Sequence, residues 1–406
     1  MVNKFHYRFG GAETYYFALS DLLRSAGHEV IPFSMKHPDN EPTPYDRFFV
    51  DRVDYDQPAK PLHSVQNGFR SIYSGGAREK MKALIREVGP DLVHLHNYNY
   101  QITPSILFEI ARAGIPVVQT LHDPQLICPH HRLYDYNKMQ ICENCRGLKF
   151  YRAATTRCIK NSLAKSVLGA AESYLYHSLG VYEKHVQLYI APSEFLKEKI
   201  REFGLRTIQI ECLPHFVEMD RPVVQSKNSR ICLYYGRLSA EKGILTLVRA
   251  MRSVRGGELW IAGDGPLKQA ITAELESHSQ TNVTLLGQKT KSELATLLDQ
   301  CAFTVLPSEW YENMPYSVME SFASGRGVVA SDRGGLTEMV IAGKTGYLFA
   351  PGDERALSDV LNRMFASPSL AKELGVAARA FAELHYSKSV HLPRILSIYQ
   401  RVRAIA

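Results

Sequence analysis

The stretch Ala302–Ser331, AFTVLPSEWYENMPYSVMESFASGRGVVAS, spells out one structural unit. AFTVLP is a short apolar run that reads as a buried strand, and SEWYEN reads as the loop beyond it. Pro315 is expected in the first turn of a helix, where its missing N–H costs nothing, and Gly325 stops that helix. GVVAS then supplies a second apolar run. A strand, a helix and another fully apolar strand are the parts of a parallel sheet covered by helices on both faces.

The same alternation extends along the chain. EVIPF (Glu29–Phe33), DLVHLH (Asp91–His96), IPVVQTLH (Ile115–His122) and LYIAPS (Leu188–Ser193) are the apolar runs of the first half. ICLYYGR (Ile231–Arg237), ELWIAG (Glu258–Gly263) and NVTLLG (Asn282–Gly287) precede AFTVLP and GVVAS in the second. Each half is therefore expected to be a βα-repeat domain, the first over 1–213 and the second over 231–385. Between them, 214–230 has prolines, charges and no periodicity, which suits a linker. Residues 386–406 have an apolar stripe through Val390, Leu392, Ile395, Leu396 and Tyr399, expected to form a closing helix that packs back on the first domain. The first strand is only MVNKF, shorter than a central strand normally is, so the native chain is expected to begin a few residues earlier.

The length of 406 residues also favours two cores over one. With 45% hydrophobic and 22% charged residues the composition is that of an ordinary soluble protein, and no apolar run approaches the ~20 residues that cross a bilayer. The N-terminus MVNKFHYRFGGAE lacks the pattern of a secretory signal, which places the chain in the cytoplasm. Seven cysteines in a long chain without a signal argue for thiols or metal ligands over a disulfide framework. The net charge of +7 is modest, but Pro124–Lys165 holds eight basic residues against two acidic ones. That segment is either a solvated surface or a field that attracts an anionic acceptor or an anionic membrane face.

Open α/β sheets bind ligands beyond the carboxyl ends of their strands. Gly10 and Gly11, before a helical pattern, form either a tight turn or a close approach to phosphate. RLSAEKG puts Arg237 and Lys242 five apart at the start of a helix, as surface charge or as a clamp for a diphosphate. The GDGP turn after ELWIAG reads mainly as structural. Glu312 lies before the helix that starts near Pro315 and Glu320 lies within it. The N–H groups and positive dipole end between them favour a diphosphate. One carboxylate then accepts ribose hydroxyls and the other the hydroxyls of whatever the phosphate carries, which describes a nucleotide sugar.

ENMPYSVME (Glu312–Glu320) matches the Glu-seven-residues-Glu motif of retaining glycosyltransferases. With FGGAE (Phe9–Glu13), TLHD (Thr120–Asp123), GRLSAEKG, AGDGP and GGLTEMV (Gly334–Val340) it resembles family 4 of that class over nearly the whole chain. The resemblance implies a GT-B fold, two Rossmann-like doubly wound domains facing across a cleft, with the acceptor on the first and the nucleotide sugar on the second. It implies that Arg237 and Lys242 hold the diphosphate, that Glu320 binds the ribose, and that Glu312 binds the transferred sugar, aided by backbone N–H groups near Met314 and Tyr316, with Pro315 between them in the donor site. It places His122 by the reacting carbon with Asp123 beside it, and lets Gly11 approach the diphosphate. Asn313-Met314 stands where Phe-Gly often precedes the helix, so the donor-sugar pocket is expected to differ.

The implied activity is metal-independent transfer of a hexose, with retention, to a saccharide or lipid-linked acceptor in bacterial surface polysaccharide synthesis, at the inner face of the membrane. No catalytic cofactor and no nucleic acid are expected. A sugar-nucleotide epimerase on the same fold and a non-catalytic nucleotide-sugar-binding protein are the alternatives. Cys128, Cys142, Cys145 and Cys158, spaced C-x13-C-x2-C-x12-C inside the basic segment, are candidate ligands of a structural zinc, with unrelated buried thiols or a disulfide as the other readings.

Overall fold

The structure is a computed structural model that describes residues 1–53, 61–224 and 230–405. The chain forms two compact units. The first comprises residues 1–137, 142–213 and the chain from Leu392 onward; the second comprises 138–141 and 214–391. Of the expected linker, 225–229 lie outside the described residues.

In the first unit, strands β1 (Val93–Leu95), β2 (Val117–Thr120), β3 (Leu188–Ala191) and β4 (Ile210–Cys212) pair in that order, all parallel. The register sets Val93 opposite Val117 and Val118 opposite Leu188. Among the described residues the sheet continues beyond β1 through single bridges, Val2 with Leu95, Val2 with Phe33, and Met35 with Val50. MVNKF and EVIPF were expected as strands; they meet only at Val2 and Phe33. Pro32 has no N–H to donate and so interrupts a longer ladder. The helices used below are α1 (Gly11–Ser25), α2 (Pro61–Ile72), α3 (Tyr151–Thr156) and α4 (Leu163–Ser178).

In the second unit, β5 (Ile231–Tyr235), β6 (Glu258–Ala262), β7 (Val283–Gly287), β8 (Phe303–Leu306), β9 (Gly327–Ser331) and β10 (Gly346–Phe349) form one parallel sheet of order β10-β9-β8-β5-β6-β7. The chain starts at the centre, builds one side, then returns to build the other. That reversal puts the crevice of a doubly wound sheet between β5 and β8. Alternate residues of β5 bury on opposite faces, Cys232 and Tyr234 with Phe303 and Leu361, Ile231, Leu233 and Tyr235 with Leu298. Both faces are covered, which is why these strands read as unbroken apolar runs. Helices α5 (Ile244–Ala250) and α6 (Tyr316–Ala323) follow β5 and β8. The last helix, α7 (Lys388–Ile405), buries Ile395, Ile398 and Val402.

Candidate active site

The loops after β5 and β8 meet at the crevice of the second unit. Gly243, at φ +65°, lies so close to Pro307 that a Cβ there would stand 1.9 Å from the Pro307 carbonyl oxygen. The N–H of Glu309 donates to the Glu241 carbonyl at 2.8 Å, and Thr246 Oγ1 donates to the Glu309 carboxylate at 2.6 Å. These contacts join RLSAEKG to SEWYEN. A third segment closes on them: the Gly335 N–H donates to the Glu312 carbonyl at 2.7 Å, and a Cβ on Gly335 would overlap the Asn313 carbonyl. The two glycine motifs therefore fix the backbone that presents Lys242 and Glu312.

Lys242 and Glu312, separated by 70 residues in the chain, are a direct ion pair, Nζ to Oε1 at 2.7 Å. Ser308 Oγ donates to the same carboxylate oxygen at 2.6 Å, and Lys242 Nζ also sits 4.9 Å from the centre of the Trp310 ring. Burial pushes the Glu312 carboxyl up, but the Lys242 charge and the hydrogen bonds from Lys242, Ser308 and Trp310 outweigh it, and the group is held below its ordinary value. Glu312 thus stays an anion with acceptor capacity, and Lys242 a cation. Arg237 is exposed at the end of β5, and its carbonyl accepts from Tyr234 Oη at 2.8 Å.

Pro315 stands at the N-cap of α6, one position before the helical turn in which it was expected; its ψ of 128° is extended, and the helix begins at Tyr316. The proline offers no side-chain acceptor to the first N–H groups of the helix, which leaves the positive end of the dipole facing the Glu312 loop. Met314 is buried, with its sulfur accepting from the His215 N–H at 3.3 Å. Glu320 lies one turn into α6 and is half-buried; burial raises its pKa to about 7, against the opposing charge of Lys291 and a hydrogen bond from Tyr235. Glu312, Glu320, Lys242, Met314, Pro315 and Tyr316 therefore share one end of one sheet.

The first unit gathers a different set. His122, just past β2, joins a ladder of stacked imidazoles: His122 Nε2 is 2.9 Å from His96 Nδ1, and His96 stacks on His94 at 4.5 Å between ring centres. His94 in turn meets Thr120 Oγ1 at 2.8 Å and Tyr399 Oη at 2.6 Å. Burial lowers the His122 pKa to about 4, so the ring is neutral at pH 7, and only one of the two facing nitrogens of His96 and His122 carries a proton. Asp123 has its pKa raised by burial, with Lys4 and Arg132 opposing, and accepts from the Gln125 N–H at 3.1 Å. Gly11 opens α1, whose first-turn Glu13 is buried and accepts from Asn3 Nδ2 at 3.2 Å.

His96, Ser308, Lys4 and Tyr235 were not singled out in the sequence. VHLH gave a signal for His96, since two histidines at i and i+2 lie on one side of a strand at its carboxyl end.

The four cysteines of the basic segment line one small cavity with His130 and Tyr134. Among the described residues, however, no three His, Cys, Asp or Glu side chains form a group that could hold a metal ion. The spacing brings the thiols to one cavity, but the structural zinc expected there is not supported. Among the described residues no helix is long and apolar enough to cross a membrane.

The profile described as "Glycosyltransferase Family 4" matches residues 9–221, and that described as "Glycosyl transferases group 1" matches 217–381. Glycogen synthase of Mycobacterium tuberculosis is 25% identical over 392 residues, covering 91% of this chain and 86% of that one. The amylovoran biosynthesis glycosyltransferase AmsK of Erwinia amylovora is 25% identical over 258 residues, 58% of this chain and 63% of its own. The solved structure of HepE from Anabaena, in complex with UDP and glucose, superposes with a TM-score of 0.66 at 16% identity, covering 98% of both chains.

Proposed function

The chain belongs to glycosyltransferase family 4, retaining enzymes of GT-B fold that use a nucleotide sugar, and from that premise we propose that it transfers a hexose from a UDP-sugar to a saccharide or lipid-linked acceptor at the inner face of a bacterial membrane. The observation that carries the reading is the Lys242–Glu312 pair at the crevice of the second sheet, beside the N-terminus of α6. It supplies a cation for a diphosphate and an ionised carboxylate for sugar hydroxyls within one contact.

Lys242 turns from Glu312 to the diphosphate when donor binds, and Arg237 joins it. Glu312 then accepts from the sugar hydroxyls, while Glu320 accepts from the ribose. During transfer the bond between the anomeric carbon and the β-phosphate oxygen breaks, the acceptor oxygen bonds that carbon from the same face, and the acceptor proton passes to the leaving phosphate oxygen. Lys242, Arg237 and the α6 N–H groups stabilise the charge that grows there, so no metal is required. Neither glutamate acts as a covalent nucleophile, and the carboxylate spacing of retaining hydrolases does not apply. The neutral His122 offers a hydrogen bond to a sugar hydroxyl; Gly11, at the start of α1, and Asp123, in the loop after β2, belong to the same unit. On the likeness to AmsK, an amylovoran biosynthesis glycosyltransferase by name, we assign the chain to surface polysaccharide assembly.

The test is a screen of nucleotide sugars by thermal stabilisation in EDTA. A UDP-sugar at 100 times its dissociation constant should add ~2.7 kcal/mol. Stabilisation by GDP-sugars alone would exclude the uridine assignment, and none from any nucleotide sugar would contradict the donor site.

A further inference from the structure

Helix α4 is inside out for a helix at the surface of a water-soluble protein. Its inner face is small and polar: Ser166, Gly169, Ala170, Glu172, Ser173 and Tyr176 are buried. Those polar groups are satisfied within the unit. Ser166 Oγ accepts from the Ile159 N–H, Ser173 Oγ donates to the Gly169 carbonyl, Glu172 accepts from Asn99, and Tyr176 Oη donates to the Ile72 carbonyl. The outer face is apolar. Leu163, Val167, Tyr174 and Leu175 are between 38% and 52% exposed, and Leu179 just past the end is 48% exposed.

With the exposed Ala171, positions 163, 167, 171, 175 and 179 make an unbroken i, i+4 ridge, about 24 Å of helix with no charged side chain on its outer side. Tyr151 of α3 extends the ridge, since its N–H donates to Tyr174 Oη at 3.2 Å and its own ring is 52% exposed. A surface helix normally turns such a stripe toward the core.

The charges along this segment are mostly basic, with the exposed Glu183 just beyond it. From Arg146 to Tyr182 the chain carries six basic residues (Arg146, Lys149, Arg152, Arg157, Lys160 and Lys165) and one carboxylate, Glu172. That carboxylate is buried, with its pKa raised to about 8 by burial, so it adds no negative charge at the surface at pH 7. A two-fold contact with a second copy would set this cationic segment against itself, at a cost in like-charge repulsion. An apolar ridge with two tyrosines and a cationic surround instead matches the interface of an anionic bilayer, where apolar side chains enter the acyl boundary, tyrosines sit at headgroup level and cations meet lipid phosphate.

We propose that the outer face of α4, with Tyr151 and the cations of the segment that leads into the helix, is the surface by which this chain lies on an anionic lipid bilayer, with α4 in the plane of the interface. This deepens the reading that acceptor is met at a membrane, and rests on it. Unlike that reading, it names the residues that enter the lipid.

The experiment is co-sedimentation of the full chain with vesicles of phosphatidylglycerol and phosphatidylcholine, against phosphatidylcholine alone. Wild type should bind the anionic vesicles and weaken with salt. V167S with L175S should bind about tenfold or more weakly. K149E with R152E should lose at least about fivefold per residue and much of the salt dependence. All four positions are exposed, so thermal stability and donor binding should be unchanged. V167W gives a readout that needs no loss of binding: its emission should shift to the blue on anionic vesicles and not on phosphatidylcholine.

A wild type that ignores anionic vesicles would overturn both this face and the membrane reading. Wild-type binding that neither pair of substitutions alters, with no blue shift from V167W, would overturn the face alone. A dimer that V167S with L175S dissolves, without vesicle binding, would assign the face to a second copy instead.

Discussion

Glu312 and Glu320 are eight residues apart in sequence and electrostatically opposite. Glu312 is held below its ordinary pKa by Lys242 despite its burial, and Glu320 is raised to about 7 by burial. Glu312→Gln should therefore mainly lower kcat, and Glu320→Gln should mainly weaken donor binding; equal losses in both parameters from both variants would remove the assignment. Glu320 also gives a pH dependence with a definite sign. The ribose needs the ionised carboxylate, which is the minority form below pH 7. Affinity for a UDP-sugar should fall as pH drops from 8 to 6, and Glu320→Gln should flatten the profile. His122, at about 4, does not titrate in that range. An unchanged slope in Glu320→Gln, measured by calorimetry, would place the titrating group elsewhere. In the first unit, His96 holds the His122 ring through the hydrogen bond between them. His96→Phe should cut kcat about tenfold or more with a smaller effect on donor affinity, because most of the donor contacts proposed here come from the second unit.

At the scale of elements, the apolar runs were legible because strands buried on both faces carry no polar alternation, and the structure has strands β1 to β3 and β5 to β9 within those runs. EVIPF misled because its composition is that of a strand while Pro32 limits its pairing. Lys242 and Glu312 were each legible from motif spacing. Their contact was not, since it depends on two loops brought together from 70 residues apart. The same holds for Gly243, whose approach to Pro307 no local pattern reveals. Its contact with Pro307 makes a prediction: Gly243→Ala should displace the AEKG loop, cost about 1–3 kcal/mol in stability and weaken donor binding. Gly352, at φ +81° with open space around it, is the control. Gly352→Ala carries the backbone strain without the clash and should cost about 1 kcal/mol with donor affinity unchanged. Equal losses of donor affinity in the two variants would show that the Pro307 contact does not shape the site. The α4 face was the least legible element: the sequence shows cations around it, but only the structure shows that its polar residues point inward.

At the scale of the molecule, two doubly wound units hold the parts of the proposed chemistry separately, a cationic and carboxylate-lined crevice in the second and a ladder of stacked histidines in the first. Each lies at the carboxyl ends of its strands, as the rule for open sheets requires. The central claim is that Lys242 and Glu312 form a nucleotide-diphosphate site that needs no metal. Removing Lys242 leaves a buried carboxylate without its cation and should cost about 3 kcal/mol of stability, part of which Glu312→Gln in the same chain should restore. The most direct measurement is calorimetric titration of UDP at pH 8 in EDTA, with wild type and Lys242→Met, each first confirmed to be folded at the temperature used. The account predicts that wild type binds equally well with EDTA and with Mg²⁺, and that Lys242→Met binds at least tenfold more weakly in both. Binding that appears only with Mg²⁺ or Mn²⁺, or that survives Lys242→Met unchanged, would contradict it.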